Sequence, residues 1–199
     1  MNVLALPEGY EPIEQIDLQQ NKKLALAVNL GAIAFAFILF FIGYWFVPLS
    51  AVFASVDSGD FSALLFVLLK LFMMLLGLVL YMVLHEATHG VFMKHYGGIK
   101  PKFGLTLLYA YCGSEAYFDK ASYLVIGLSP VVIWGIVLAA ACIVIPPDWF
   151  WVVYLIQMIN LSGAVGDFYV TYRMLKLPKE ILVQDSGVAM TVYAPLQKP

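Results

Sequence analysis

A soluble domain is about half apolar and about a quarter charged. A chain of 199 residues that is 62% hydrophobic and 12% charged, with a mean hydropathy of +0.87, falls outside that class and reads as a single integral membrane domain over 1–199. The net charge of −2 and the lack of a long basic run exclude a nucleic-acid partner, and Cys112 and Cys142, too few for a disulfide framework and not in a CxxC, read as free thiols.

Residues 1–23 are polar and acidic, carry Pro7 and Pro12, and end in Lys22-Lys23. They are expected to form a tail. Residues 24–47 then run for 24 positions without a charge, enough for a helix to cross a hydrocarbon core that needs about 20. Tyr44-Trp45 near the end of this run is an interfacial anchor. A second span is expected over about 61–93, with Lys70 inside it either snorkelling or facing another helix. Gly97-Gly98 ends it. The segment 102–118 is rich in β-formers around a Gly113-Ser114 turn. A third span covers 122–145 and stops at Pro146-Pro147; a fourth covers 149–172 and opens on Trp149-Phe150-Trp151. In the tail 173–199, residues 181–193 form a hairpin pattern around Asp185-Ser186-Gly187. The fold class expected is an all-α polytopic membrane protein. It has four transmembrane helices, a short β-hairpin-like segment after the second, and a small C-terminal hairpin.

Ten of the eleven basic residues fall in 1–23, 94–120 and 173–199. The loops 48–60 and 146–148 carry Asp57, Asp60 and Asp148 and no Lys or Arg. By the positive-inside rule both termini and the 94–120 loop are cytoplasmic.

The second span ends in His85-Glu86-Ala87-Thr88-His89, which matches H-E-x-x-H. Residues four apart share a helix face, so His85 and His89 can meet one ion. Glu86 then lies beside the metal, where it can take a proton from an activated water. A pair of interfacial histidines is the bland alternative. Ionisable groups at the deep end of an apolar helix are costly and functional by default, so a zinc site is expected.

Three residues compete for the third ligand position. His95 completes the spacing H-E-x-x-H-x-x-x-x-x-H, but Phe92 stands where a turning glycine is needed. On a continuing helix His95 lies about 120° round from His89 and about 9 Å along. Glu115 sits in the polar turn of the 102–118 segment. Asp167 is the one charged residue of the fourth span, seven positions beyond Asn160 on what would be the same face, beside Gly163 and Gly166. A carboxylate at membrane depth requires a partner, so Asp167 is favoured over His95, and Glu115 ranks last.

His85–Gly90, the Gly127–Pro130 sequence GLSP, and Asn160 with the Gly166-Asp167 pair resemble the core of site-2 proteases. The small size and the C-terminal LPKE…D…G…VY region are more specifically similar to the zincin-peptidase family called domain of unknown function 3267. The resemblance covers about 60–199. It implies a zinc-dependent intramembrane protease with His85, His89 and Asp167 as ligands and Glu86 as base. It also implies that Asn160 helps hold substrate or oxyanion. Gly163 stands in place of the family's usual proline, and Val165-Gly166-Asp167-Phe168 in place of its Leu-Asp-Gly.

The expected reaction is hydrolysis of a peptide bond in a membrane-protein substrate near the cytoplasmic face. The segment 102–118 could capture an unwound substrate strand by β-addition. Partners expected are a transmembrane protein or peptide and the lipid bilayer, and the location a bacterial cell membrane. Two other classes use the same residues: a metal-dependent hydrolase of a lipid or small molecule, and a non-catalytic scaffold that retains zinc. An intact Glu86 disfavours the scaffold, which needs no base.

Overall fold

The computed structural model describes residues 2–53, 61–105 and 110–196. Asp57 and Asp60, and the centre of the 102–118 segment, lie outside the described residues. In chain order the elements are β1 (Tyr10–Asp17), α1 (Lys22–Phe46), a 3-10 turn (Leu49–Phe53), α2 (Phe61–Gly97), β2 (Lys102–Leu105), β3 (Ala110–Gly113), β4 (Tyr117–Asp119), α3 (Lys120–Val144), α4 (Phe150–Gly163), α5 (Val165–Lys176), β5 (Leu182–Asp185) and β6 (Ala189–Pro195).

Local chemistry sets the helix ends. Asn21 Oδ1 accepts the Leu24 N–H at 3.0 Å and caps α1, and Asp119 Oδ1 accepts the Ser122 N–H at 2.8 Å and caps α3. Gly98, with φ of 71°, closes α2 in the left-handed conformation that glycine adopts without a Cβ penalty. Among the described residues three helices, α1, α2 and α3, are long and apolar enough to cross a membrane. Large apolar side chains such as Phe37, Phe41, Phe66, Phe72, Leu75 and Ile136 are exposed along them. In water these would form an aggregation surface, whereas in hydrocarbon they are ordinary lipid contacts.

The expected fourth span is not one helix. The chain breaks at Ala164, between the 14 residues of α4 and the 12 of α5. Nor is the fold all-α. The antiparallel sheet β1-β6-β5-β4 joins the expected C-terminal hairpin to β4 and to a strand from the supposed N-terminal tail. The β2-β3 ribbon realises the hairpin-like segment. Pro12 is tolerated because β1 lies at a sheet edge, beside a register shift between Pro12 and Glu14.

The chain divides into two compact units. One comprises 1–29, 84–130 and 166–199, the other 30–83 and 131–165. The first unit is built on Ile16, Met93, Phe118, Ile126, Met174, Val183 and Val192, drawn from strands and helix ends. The second is built on Leu39, Phe150, Trp151 and Met158. In the second unit Lys70 is 2% exposed and its ammonium lies 3.3 Å from Asp148. It also donates to the Val52 carbonyl at 3.2 Å. The lone cation of the second span is thus neutralised rather than snorkelling. Both cysteines are free thiols, as expected.

Candidate metal centre

All three favoured ligands lie in the first unit. α2 presents His85 and His89 one turn apart, with ring centroids 4.9 Å from each other. α5 begins at Val165, so the break at Ala164 puts Asp167 in the first turn of a new helix, where the aligned N–H dipoles favour an anion. The His85 Nε2 and Asp167 Oδ2 atoms are 3.6 Å apart. One donor atom from each of His85, His89 and Asp167 lies within 4.8 Å of the other two. Two donors each about 2.0–2.1 Å from a tetrahedral zinc stand about 3.4 Å apart, so the three side chains fit that ion with small adjustments.

The His89 ring is held from behind. Its Nδ1 donates to the Ile126 carbonyl at 2.9 Å, since a carbonyl can only accept. In the neutral ring Nε2 is then the lone-pair nitrogen, the arrangement that metal-ligating histidines use. Glu86 accepts the backbone N–H of Cys112, so strand β3 fixes its carboxylate beside the two histidines. Gly90, on the next turn of α2, leaves the space that Phe103 and Cys112 occupy.

The competing candidates sit elsewhere. α2 continues without a turn to Gly97, and His95 is exposed with its ring edge-on to Tyr96 at 5.0 Å. Glu115 is exposed and paired with Lys102, whose ammonium holds its carboxyl below the usual carboxylate range. Asn160 lies in the other unit and is fully buried. Its Oδ1 accepts the Tyr81 hydroxyl at 2.8 Å. Its Nδ2 donates to the Val131 carbonyl and to Gln157 Oε1, each at 3.3 Å. To hold substrate or oxyanion, this amide has to give up one of those bonds.

Sequence reasoning missed Asp185. Its Oδ1 accepts the Gly187 N–H at 2.8 Å, which makes the expected turn. Its Oδ2 accepts the Tyr123 hydroxyl at 2.5 Å, and the carboxylate lies within electrostatic reach of His89 and Asp167. Burial pushes this carboxyl upward, while the Tyr123 and Gly187 donors oppose the shift. The turn signature Asp-Ser-Gly gave no hint of the second role, which depends on a tyrosine 62 residues away.

A protein of Pyrococcus woesei named "Uncharacterized 24.7 kDa protein in gap 5'region" is 28% identical to this chain over 131 residues, 63% of this chain and 57% of that protein. The chain therefore spans little more than half the length of this curated relative. No solved structure matches it. Residues 78–182, which contain the H-E-x-x-H helix turn, the GLSP sequence, Asp167 and the start of β5, match the family described as "Putative zincin peptidase" (domain of unknown function 3267), and the chain belongs to that family.

Proposed function

We propose that this chain is a zinc-dependent intramembrane peptidase of the site-2 type, which hydrolyses a peptide bond of a membrane-protein substrate near the cytoplasmic face. The observation that carries the reading is the convergence of His85, His89 and Asp167 within 4.8 Å, beside Glu86, on a helix long and apolar enough to span a membrane. The family description adds the expectation of zinc.

His85, His89 and Asp167 would hold the ion. Zinc bound there supplies Lewis acidity and a water acidified towards neutral pH. Glu86 serves as general base, and the Cys112 N–H keeps its carboxylate in one orientation. The Ile126 carbonyl keeps His89 in one tautomer. In this reading the β2-β3 ribbon, whose Cys112 N–H bonds Glu86, would receive an extended substrate strand by backbone pairing.

Sheet connectivity supports four crossings. β1 precedes α1 and β4 follows α2, yet both belong to one sheet, so α1 and α2 together leave and return to one side. β5 pairs with β4 at Tyr117↔Gln184, so the excursion through α3 must also return. In this reading α4 followed by α5 would make the return, as a broken fourth crossing. By the positive-inside rule, the lysines in both flanking regions would make that side cytoplasmic.

Substrate trapping tests the activity. Glu86→Gln protein expressed in the native membrane, crosslinked and purified, should retain membrane proteins identifiable by mass spectrometry, with cleavage at matching sites by the unsubstituted chain. Recovery of one lipid or small-molecule class in place of polypeptide, with hydrolysis of that compound, would replace the peptidase reading with a lipid or small-molecule hydrolase.

A further inference from the structure

Helix α3 contains a proline, Pro130, well inside its 25 residues. In a regular helix the carbonyl of Ile126 accepts the N–H of residue 130. Proline has no N–H, and its ring crowds the carbonyl four residues back. The Ile126 carbonyl is therefore released from the helical ladder, and two side chains take it instead. His89 Nδ1 donates to it at 2.9 Å, and Ser129 Oγ at 3.0 Å. Ile126, Ser129 and Pro130 are all buried, so water does not compete for the oxygen.

We propose that Pro130 is a positioning residue of the metal centre. By withholding one N–H from the helix, it hands the Ile126 carbonyl to His89, and so fixes that imidazole as the Nδ1–H tautomer with Nε2 as the metal-binding atom. This rests on the reading of His85, His89 and Asp167 as zinc ligands. It gives the GLSP sequence a chemical function: the proline frees an acceptor, the serine satisfies its second lone pair, and the ligand histidine takes the first. A proline kept for packing or bending alone predicts no effect on the histidine.

The substitution Pro130→Ala restores the N–H. A carbonyl has two lone pairs, and three donors would then compete for them. The backbone N–H and Ser129 are fixed on the same helix as the acceptor, whereas His89 comes from another element and is the donor displaced. Losing the outer hydrogen bond of a metal-ligating histidine costs about 10–100-fold in metal affinity. Alanine also favours helix, so thermal stability should hold or rise while metal affinity falls, a separation that a packing role does not produce.

The test uses the full chain in detergent, labelled with 15N-histidine and stripped of metal, together with zinc titration against a chromophoric chelator. Expected are an Nδ1–H signal for His89 in the parent protein, and mixed tautomers with about 10–100-fold weaker zinc binding in Pro130→Ala. Should that variant fail to fold, Pro130→Val restores the same N–H with a larger side chain and is read in the same way. Zinc binding by the parent with His89 as the Nε2–H tautomer in the metal-free state overturns this proposal alone. So does a Pro130 variant with parental tautomer and affinity. A parent chain that binds no zinc at all sinks the metal reading, and this proposal with it.

Discussion

His89 and His95 stand on one unbroken helix, and their surroundings decide which can bind a metal. His89 has a carbonyl behind its ring and two potential co-ligands in front; His95 is exposed and touches Tyr96. Zinc content measured by elemental analysis should therefore fall sharply in His85→Ala, His89→Ala and Asp167→Ala. It should stay near the parental value in His95→Ala and Glu115→Ala. Glu86→Gln should keep the metal and lose turnover, and unchanged zinc in both histidine variants would rule the site out. A second prediction concerns Cys112. Burial pushes its thiol up to about 12 from an ordinary 9.0, and only the thiolate is nucleophilic. Around pH 8 the reactive fraction is then about a thousandfold smaller than for an exposed cysteine, at tenfold per unit. Iodoacetamide labelling followed by mass spectrometry should find Cys112 nearly unmodified in the folded protein and modified after denaturation. The paired histidines were legible in the sequence because helical geometry alone puts residues four apart on one face. Asp167 was legible as a solitary charge in an apolar stretch. Asp185 was not, because its local sequence already accounts for a turn, and its link to Tyr123 arises only in the folded chain.

At the scale of elements, the break between α4 and α5 was hidden by composition. Apolar residues continue across it, and hydrophobicity does not register a break between two helices. Gly163 and Gly166 flanked the point, but glycine is also common in membrane helices that pack closely. The break nevertheless matters for the site, since it gives Asp167 a helix start of its own. Strand β1 was hidden for a different reason. Glu11, Pro12 and Glu14 oppose a strand by local preference, and pairing with β6 overrides them. The β3 strand offers an element-scale test. A Cβ on Gly113 would collide with the backbone at Ser186 and Gly187, which cannot swing aside as a flexible side chain can. Gly113→Ala should destabilise the protein by about 1–3 kcal/mol, the usual range for overpacking. It should lower the melting temperature in detergent, whereas Gly166→Ala, with open space at its Cβ, should melt within a degree or two of the parent on a scale where 1 kcal/mol moves a chain of this size by about 2–4 °C.

For the molecule as a whole, the proposed four-crossing topology rests on two lines of argument, strand pairing and the charge distribution. If the proposal holds, the segments before α1, between α2 and α3, and after α5 share one side, and the lysine and arginine distribution predicts that this side is cytoplasmic. Cysteine labelling in intact cells checks both. On a background lacking Cys112 and Cys142, an impermeant maleimide should label Pro147→Cys, in the loop between α3 and α4, and should leave Ser186→Cys, in the turn between β5 and β6, unlabelled until the membrane is opened. Labelling of Ser186→Cys in sealed cells would reverse the orientation. Labelling of both would break the four-crossing scheme.

The pairing of β1 with β6 also has a consequence in time. A ribosome adds about 5–20 residues per second, and the 172 positions from Asp17 to Ala189 (189 − 17) correspond to roughly 10–35 seconds of synthesis at that rate. Throughout that interval β1 has no partner to pair with, so the first strand made waits for the last. Asp167 and β5 also emerge late, long after the helix carrying His85, Glu86 and His89 is complete. A nascent chain therefore carries His85, Glu86 and His89 before Asp167 and the closing sheet, so the proposed metal centre would be completed only after β6 is made.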